Sequence, residues 1–185
     1  MTRISDIVYV VARLKSAERT YFLLHAHAKW GDWSLVGGHV ESHERDDWDA
    51  AARRETNEEM TPLVVGRDMS VEPLIRETIE WGPEPSRSAG GEPTVYRSRW
   101  YSLRFLRDPM DCLAQLAGDD FLLIEEERLE AGTDTDITGL FRRLSEGRSS
   151  GLRDLPFAWP EVLDLETLPL ERRECEVRPS IRMMG

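Results

Sequence analysis

The order of elements in this chain predicts an α/β domain, with a mixed β-sheet layered between helices. Runs of β-branched and aromatic residues stand both before and after a central stretch of helical spacing at 46–60, and a second helical pattern follows at 134–147. Strands, a helix, more strands and a final helix together imply a sheet covered on both faces. A length of 185 residues suits one domain with a sizeable core, and 40% hydrophobic against 32% charged residues is a globular balance. We expect residues 1–148 to form the domain and 149–185 a C-terminal extension packed on it.

Residues 5–14 are β-branched and almost continuously apolar, as a strand buried on both faces would be. A polar turn at 15–19 leads into a second strand at 20–28, giving a hairpin. His25 and His27 share one face of that strand; a metal pair and a half-exposed face near a pocket are both open there, and no third nitrogen or sulfur ligand is evident nearby. Trp30-Gly31-Asp32 turns the chain into a short strand at 33–36 that runs into Gly37 and Gly38, where backbone can approach an ion or phosphate or simply turn. Asp46, Asp47 and Asp49 suit a helix N-terminus, and Ala51 and Ala52 would let that helix approach a neighbour closely. Extended structure is expected next over 71–81, then a loop at 82–93 built from glycine, proline and serine, then a strand at 94–105. The 82–93 loop is either a mobile element near the pocket or a dimer contact, with Arg87 touching phosphate, or an idle surface connection. Asp108-Pro109 opens a short helix closed by Gly118, and 121–124 is apolar before Glu125, Glu126 and Glu127. Ile137, Leu140, Phe141 and Leu144 form the apolar stripe of the last helix, and Pro156, Pro160, Pro169 and Pro179 punctuate an irregular extension.

A net charge of −11 argues against a nucleic-acid polymer or an anionic membrane as partner, and leaves an anionic substrate needing a metal and local arginines. Cys112 and Cys175 make neither a disulfide framework nor a zinc spacing, so a reducing cytoplasm is the expected home. The N-terminus lacks the apolar core of a signal peptide, and no segment is long and apolar enough to span a membrane.

In a helix, Glu55, Glu58 and Glu59 share one face, since i, i+3 and i+4 are neighbours at ~100° per residue. Three anions there repel one another unless a cation sits among them, and oxygen-only donors suit Mg²⁺ or Mn²⁺ better than zinc. The stretch from Gly38 to Thr61 resembles the Nudix box, Gly-x5-Glu-x7-Arg-Glu-U-x-Glu-Glu-x-Gly-U with U bulky and apolar: Gly38, Glu44, Arg54, Glu55, Glu58 and Glu59 match by type and order. Nine residues rather than seven separate Glu44 from Arg54, Thr56 takes an apolar position, and Thr61-Pro62 replaces the closing glycine and apolar residue. Proline at 62 pushes Thr61 toward extended backbone, so the helix can stop there without glycine.

The resemblance implies a Nudix-type α/β/α sandwich and a pyrophosphohydrolase acting on a nucleoside diphosphate linked to another moiety. It implies Glu55, Glu58, Glu59 and the Gly37 carbonyl as ligands of Mg²⁺ or Mn²⁺. Arg54 and Glu44 would orient the loop and helix, with Glu55, Glu58 and Arg54 in the catalytic set. His39 and Arg87 are candidate substrate contacts, His39 and His43 otherwise being solvent-facing loop histidines. Several members draw their base from a later loop, which makes Asp119, Asp120, Glu125, Glu126 and Glu127 candidates beside Glu55. Strand alternation sets Glu125 and Glu127 on the side of Phe121 and Leu123, and Glu126 on the other. The expected partner is a small phosphorylated molecule, with a homodimer open. Two readings compete: a Nudix-fold domain that binds or senses a nucleotide derivative without cleaving it, and an interaction protein whose acidic helix is only a surface.

Overall fold

A computed structural model describes residues 2–16, 19–27, 29, 33–116, 120–127, 163–164 and 182–184. The strands are β1 (Arg3–Val11), β2 (Arg13–Ser16), β3 (Arg19–Ala26), β4 (Trp33–Ser34) and β5 (Val36–His39). A 3-10 turn, Ser42–Glu44, leads into helix α1 (Trp48–Glu59), and β6 (Met69–Pro73), β7 (Ile79–Pro85) and β8 (Pro93–Phe105) follow. Helix α2 (Pro109–Leu113), β9 (Phe121–Glu125), β10 (Leu163–Asp164) and β11 (Arg182–Met184) complete the described elements.

Two mixed sheets result. One runs β5-β1-β8-β6 with β7 also on β8; β1 and β8 are parallel and the other pairs antiparallel. The other runs β10-β2-β3-β9-β11 with β4 on β3. Apolar side chains alternate between two clusters. Val8, Val10, Leu23, Tyr101, Leu103, Phe121 and Leu123 pack with Trp48, Ala51 and Ala52 of α1, while Val11, Phe22, Leu24, Trp100, Leu122 and Ile124 pack on the opposite face. Burial on both faces is what makes β3 and β9 near-continuous apolar runs.

Five expectations are corrected. Residues 5–14 are not one strand: the chain passes at Ala12 from β1 in one sheet to β2 in the other, and the Ala12 carbonyl accepts the Leu23 N–H at 3.1 Å. The 15–19 turn is shorter than expected, because Lys15 and Ser16 pair with Thr20 and Arg19. The 71–81 segment is divided between β6 and β7, both laid along the long β8; Pro73 ends the first because it cannot donate to a ladder. The 82–93 loop is mostly hairpin. Glu84 and Pro85 pair with Thr94 and Pro93, and an irregularity between Trp81 and Glu84 absorbs Gly82-Pro83 on this edge strand. Only 86–92 turns, closed by the Ser86 N–H to the Glu92 carbonyl at 3.0 Å. Helix α2 ends at Leu113, earlier than expected, with Gly118 outside the described residues. The final helix at 134–147 also lies outside them, as does the extension apart from β10 and β11.

Candidate active site

Helix α1 is fixed at its start by three contacts. The Asp47 carboxylate accepts the Ala50 N–H at 3.0 Å as N-cap, the buried Trp48 indole donates to the Arg45 carbonyl, and Tyr101 donates its hydroxyl to Asp49 at 2.9 Å. The Arg99 guanidinium covers the Trp48 ring at 4.8 Å. Ala51 and Ala52, wholly buried, let the helix lie close on β1 and β5. The longer segment between Glu44 and Arg54 runs through the Arg45-Asp46 turn and the Asp47 cap into the first residues of α1.

Arg54 is the centre of the arrangement. Its Nε and Nη2 donate to the two Glu44 oxygens at 2.8 and 2.9 Å, its Nη1 to Glu55 at 2.8 Å and Glu58 at 3.3 Å, and Nη2 also to the His39 carbonyl at 3.0 Å. Glu44 is buried and also accepts the Glu41 N–H; its hydrogen bonds from Arg54 hold its pKa down to about 2 against the cost of burial. Glu44 in turn raises the Arg54 pKa. Burial raises the Glu55 pKa, with Glu59 and Glu58 adding to it and Arg54 opposing.

The glycines bring the loop against this face. Gly37 has φ 140°, and a Cβ there would run into the Val8 carbonyl. A Cβ on Gly38 would lie 2.5 Å from Glu55 Oε2, so the carboxylate occupies the space that glycine leaves. The Gly37 N–H donates to Glu59 Oε2 at 2.9 Å. Gly37, Glu44, Arg54, Glu55, Glu58 and Glu59 are therefore brought together. His39 is placed otherwise: strand alternation turns its exposed ring to the face opposite Gly38, and only its carbonyl reaches Arg54. Arg87 lies exposed in the 86–92 turn, which Arg3 joins to β1 through Ser86 Oγ at 3.3 Å. His43 pairs with Glu41 at 3.3 Å, both exposed.

Of the later acids, Asp119 lies outside the described residues. Asp120 stands where its carbonyl accepts the Ala26 N–H, at the β3 end that carries His25. Glu125 stands opposite Tyr21, four residues along β3 from His25 and ~13 Å along the strand. It pairs with Arg19, and Glu126 takes both its oxygens to Arg13 Nη2 at 2.8 Å. His25 is the contact that sequence reading missed: its Nδ1 lies 3.5 Å from Glu59 Oε2. Its spacing with His27 marked a half-exposed face, but only the strand register shows which element that face meets. His27 is exposed and accepts the Lys29 N–H.

Three carboxylates, Glu44, Glu55 and Glu58, thus meet one guanidinium, with Glu59 held nearby on the Gly37 N–H, and the excess of negative oxygen suits a hard divalent cation. Among the described residues no three His, Cys, Asp or Glu side chains converge as a finished metal cage, since Glu55 and Glu58 are turned to Arg54. The donors fit such a cation by type and by their shared helix face, with Glu55 set against Gly38 and Glu59 against Gly37.

The family model for the NUDIX domain matches residues 5–131. Solved structures similar to this chain include NrtR of Shewanella oneidensis, 19% identical with a TM-score of 0.50 over 78% of this chain and 62% of that one. They also include the Ap4A hydrolase of C. elegans, 23% identical with a TM-score of 0.48 over 78% of this chain and 98% of that one. The NUDIX domain of S. oneidensis NrtR, complexed with ADP ribose, is 16% identical with a TM-score of 0.45 over 80% and 88% of the two chains. No curated protein matches.

Proposed function

The chain belongs to the NUDIX domain family, and from that membership we propose that it hydrolyses the phosphoric anhydride of a small nucleoside-diphosphate derivative, with Mg²⁺ or Mn²⁺ as cofactor. The observation that carries this reading is the placing of Glu55 against Gly38 and Glu59 on the Gly37 N–H, with Glu58 on the same helix face bonded to an Arg54 already anchored by Glu44. Glu55, Glu58, Glu59 and the Gly37 carbonyl would hold the cation, which supplies charge neutralisation on the diphosphate and a more acidic water. Arg54 keeps the helix and the box loop in register. Glu55, set against Gly38 and the least exposed of the three helix carboxylates, is the side chain of this set best placed to accept the water's proton. The commitment of Glu125 and Glu126 to arginines supports giving Glu55 that role over either of them.

The test is a panel of nucleotide sugars, dinucleotides, ADP-ribose and nucleoside triphosphates incubated with Mg²⁺ in ¹⁸O water, with products read by mass. One substrate class should yield a metal-dependent product carrying a single ¹⁸O on phosphate; an unlabelled or metal-independent product would sink the proposal. A second reading has its own observation. The contacts from Arg54 Nη1 to both Glu55 and Glu58 also suit a domain that holds a nucleotide derivative without cleaving it. Saturable binding of a panel member with no turnover would favour that reading.

A further inference from the structure

Glu59 is held from two directions on one oxygen. Oε2 accepts the Gly37 N–H at 2.9 Å and lies 3.5 Å from Nδ1 of His25. No hydrogen bond reaches Oε1 among the described residues. His25 is itself restrained: it lies on β3 opposite both Ser34 of β4 and Phe121 of β9, its side chain is only 17% exposed, and its ring sits 5.0 Å from the Phe121 ring at 43°. Three strands therefore fix the imidazole, and the imidazole faces a carboxylate on a helix far away in sequence.

We propose that His25 is a positioning residue for Glu59: the Gly37 N–H bonds Oε2 and the imidazole faces the same oxygen across 3.5 Å, so that Oε1 is left for the cation. A ligating carboxylate with one oxygen so held loses less freedom on binding metal, and such supporting groups commonly govern affinity. The proposal rests on the reading of Glu59 as a metal ligand. It gives β3 a part in the site that the box alone does not contain.

The experiment is Mn²⁺ titration of the purified full chain without nucleotide, followed by loss of the free-ion electron paramagnetic resonance signal. Wild type is compared with His25→Phe, which keeps a ring against Phe121 but removes the donor, and with His25→Asn, which returns a donor near the Nδ1 position. His25→Phe should weaken Mn²⁺ binding by about tenfold or more, and His25→Asn should recover to within about threefold of wild type. Both variants should keep the wild-type thermal midpoint in the absence of metal, so that a change in affinity is not a change in folding. Wild-type affinity in His25→Phe would overturn the proposal, as would His25→Asn binding no better than His25→Phe. Failure of wild type itself to bind Mn²⁺ would instead overturn the metal site, and the role of His25 with it.

Discussion

The Arg54 guanidinium bonds both Glu55 and Glu58, and its charge offsets the repulsion between these neighbours on one helix face. Removing one carboxylate relieves repulsion instead of breaking a packing contact, since the Glu58 side chain is 58% exposed. Glu58→Gln or Glu59→Gln should therefore abolish hydrolysis while leaving the thermal midpoint of the metal-free protein unchanged or slightly raised. Wild-type turnover in either variant at saturating Mg²⁺ would refute the site. Glu44 behaves oppositely because it is buried on Arg54. Glu44→Ala should cost about 3 kcal/mol, the usual scale for stranding one partner of a buried ion pair. The folded carboxyl titrates at about 2, against an ordinary 4.5. The stability it contributes is thus complete above pH 4.5 and is lost as pH falls toward 2. Denaturant unfolding of wild type and variant should show a gap that closes over that interval.

Helix α1 shows how two apparent departures from a motif are accommodated by ordinary hydrogen bonding. Thr56 is wholly buried where an apolar side chain is usual, and its hydroxyl donates to the Ala52 carbonyl at 2.7 Å, so it enters the core with its polar group satisfied. Thr61 donates its hydroxyl to the Asn57 and Glu58 carbonyls at 3.0 and 3.3 Å, capping the last turn without a glycine. Thr61→Val, which keeps the shape and removes the donor, should lower stability by about 1 kcal/mol, while Thr61→Ser should be close to neutral. Equal stabilities for the two variants would remove the hydroxyl from the account. The helix itself was legible because Asp47, the alanines and the paired glutamates each have a local reason for their place. The strands were less so. Val11, Ala12 and Leu14 are all buried, so nothing in their apolarity marks where the chain changes sheets. Likewise Glu84 and Pro85 read as loop until Thr94 and Pro93 lie opposite them. Strand limits depend on partners, and partners are remote in sequence.

At the scale of the whole molecule, the second sheet has β10 on β2 and β11 on β9, both from beyond residue 148. Cutting the chain after 148 would leave β2 and β9 with open edges, and unpaired edges invite association. The shortened protein should unfold at a lower temperature and elute as larger species in size-exclusion chromatography. Unchanged melting and a sharp monomeric peak would make the extension a separate appendage, against the single packed domain proposed from the sequence. No helix among the described residues is long and apolar enough to cross a membrane. The shared helix face of Glu55, Glu58 and Glu59 was legible from their spacing, whereas the contact from His25 was not, because it depends on which strand packs beside α1.

The parallel ladder between β1 and β8 bears on how the chain is made. Arg3 faces Thr94 and Val11 faces Ser102, each pair separated by 91 residues (94 − 3 and 102 − 11). At ~5–20 residues per second on the ribosome, the nascent β1 waits on the order of ten seconds before its longest partner has been synthesised. β5 arrives sooner but pairs with only Ile7 to Val10. Throughout that interval Val8, Val10 and Val11 belong to a strand with one side unclaimed, the kind of segment that chaperones shield during translation.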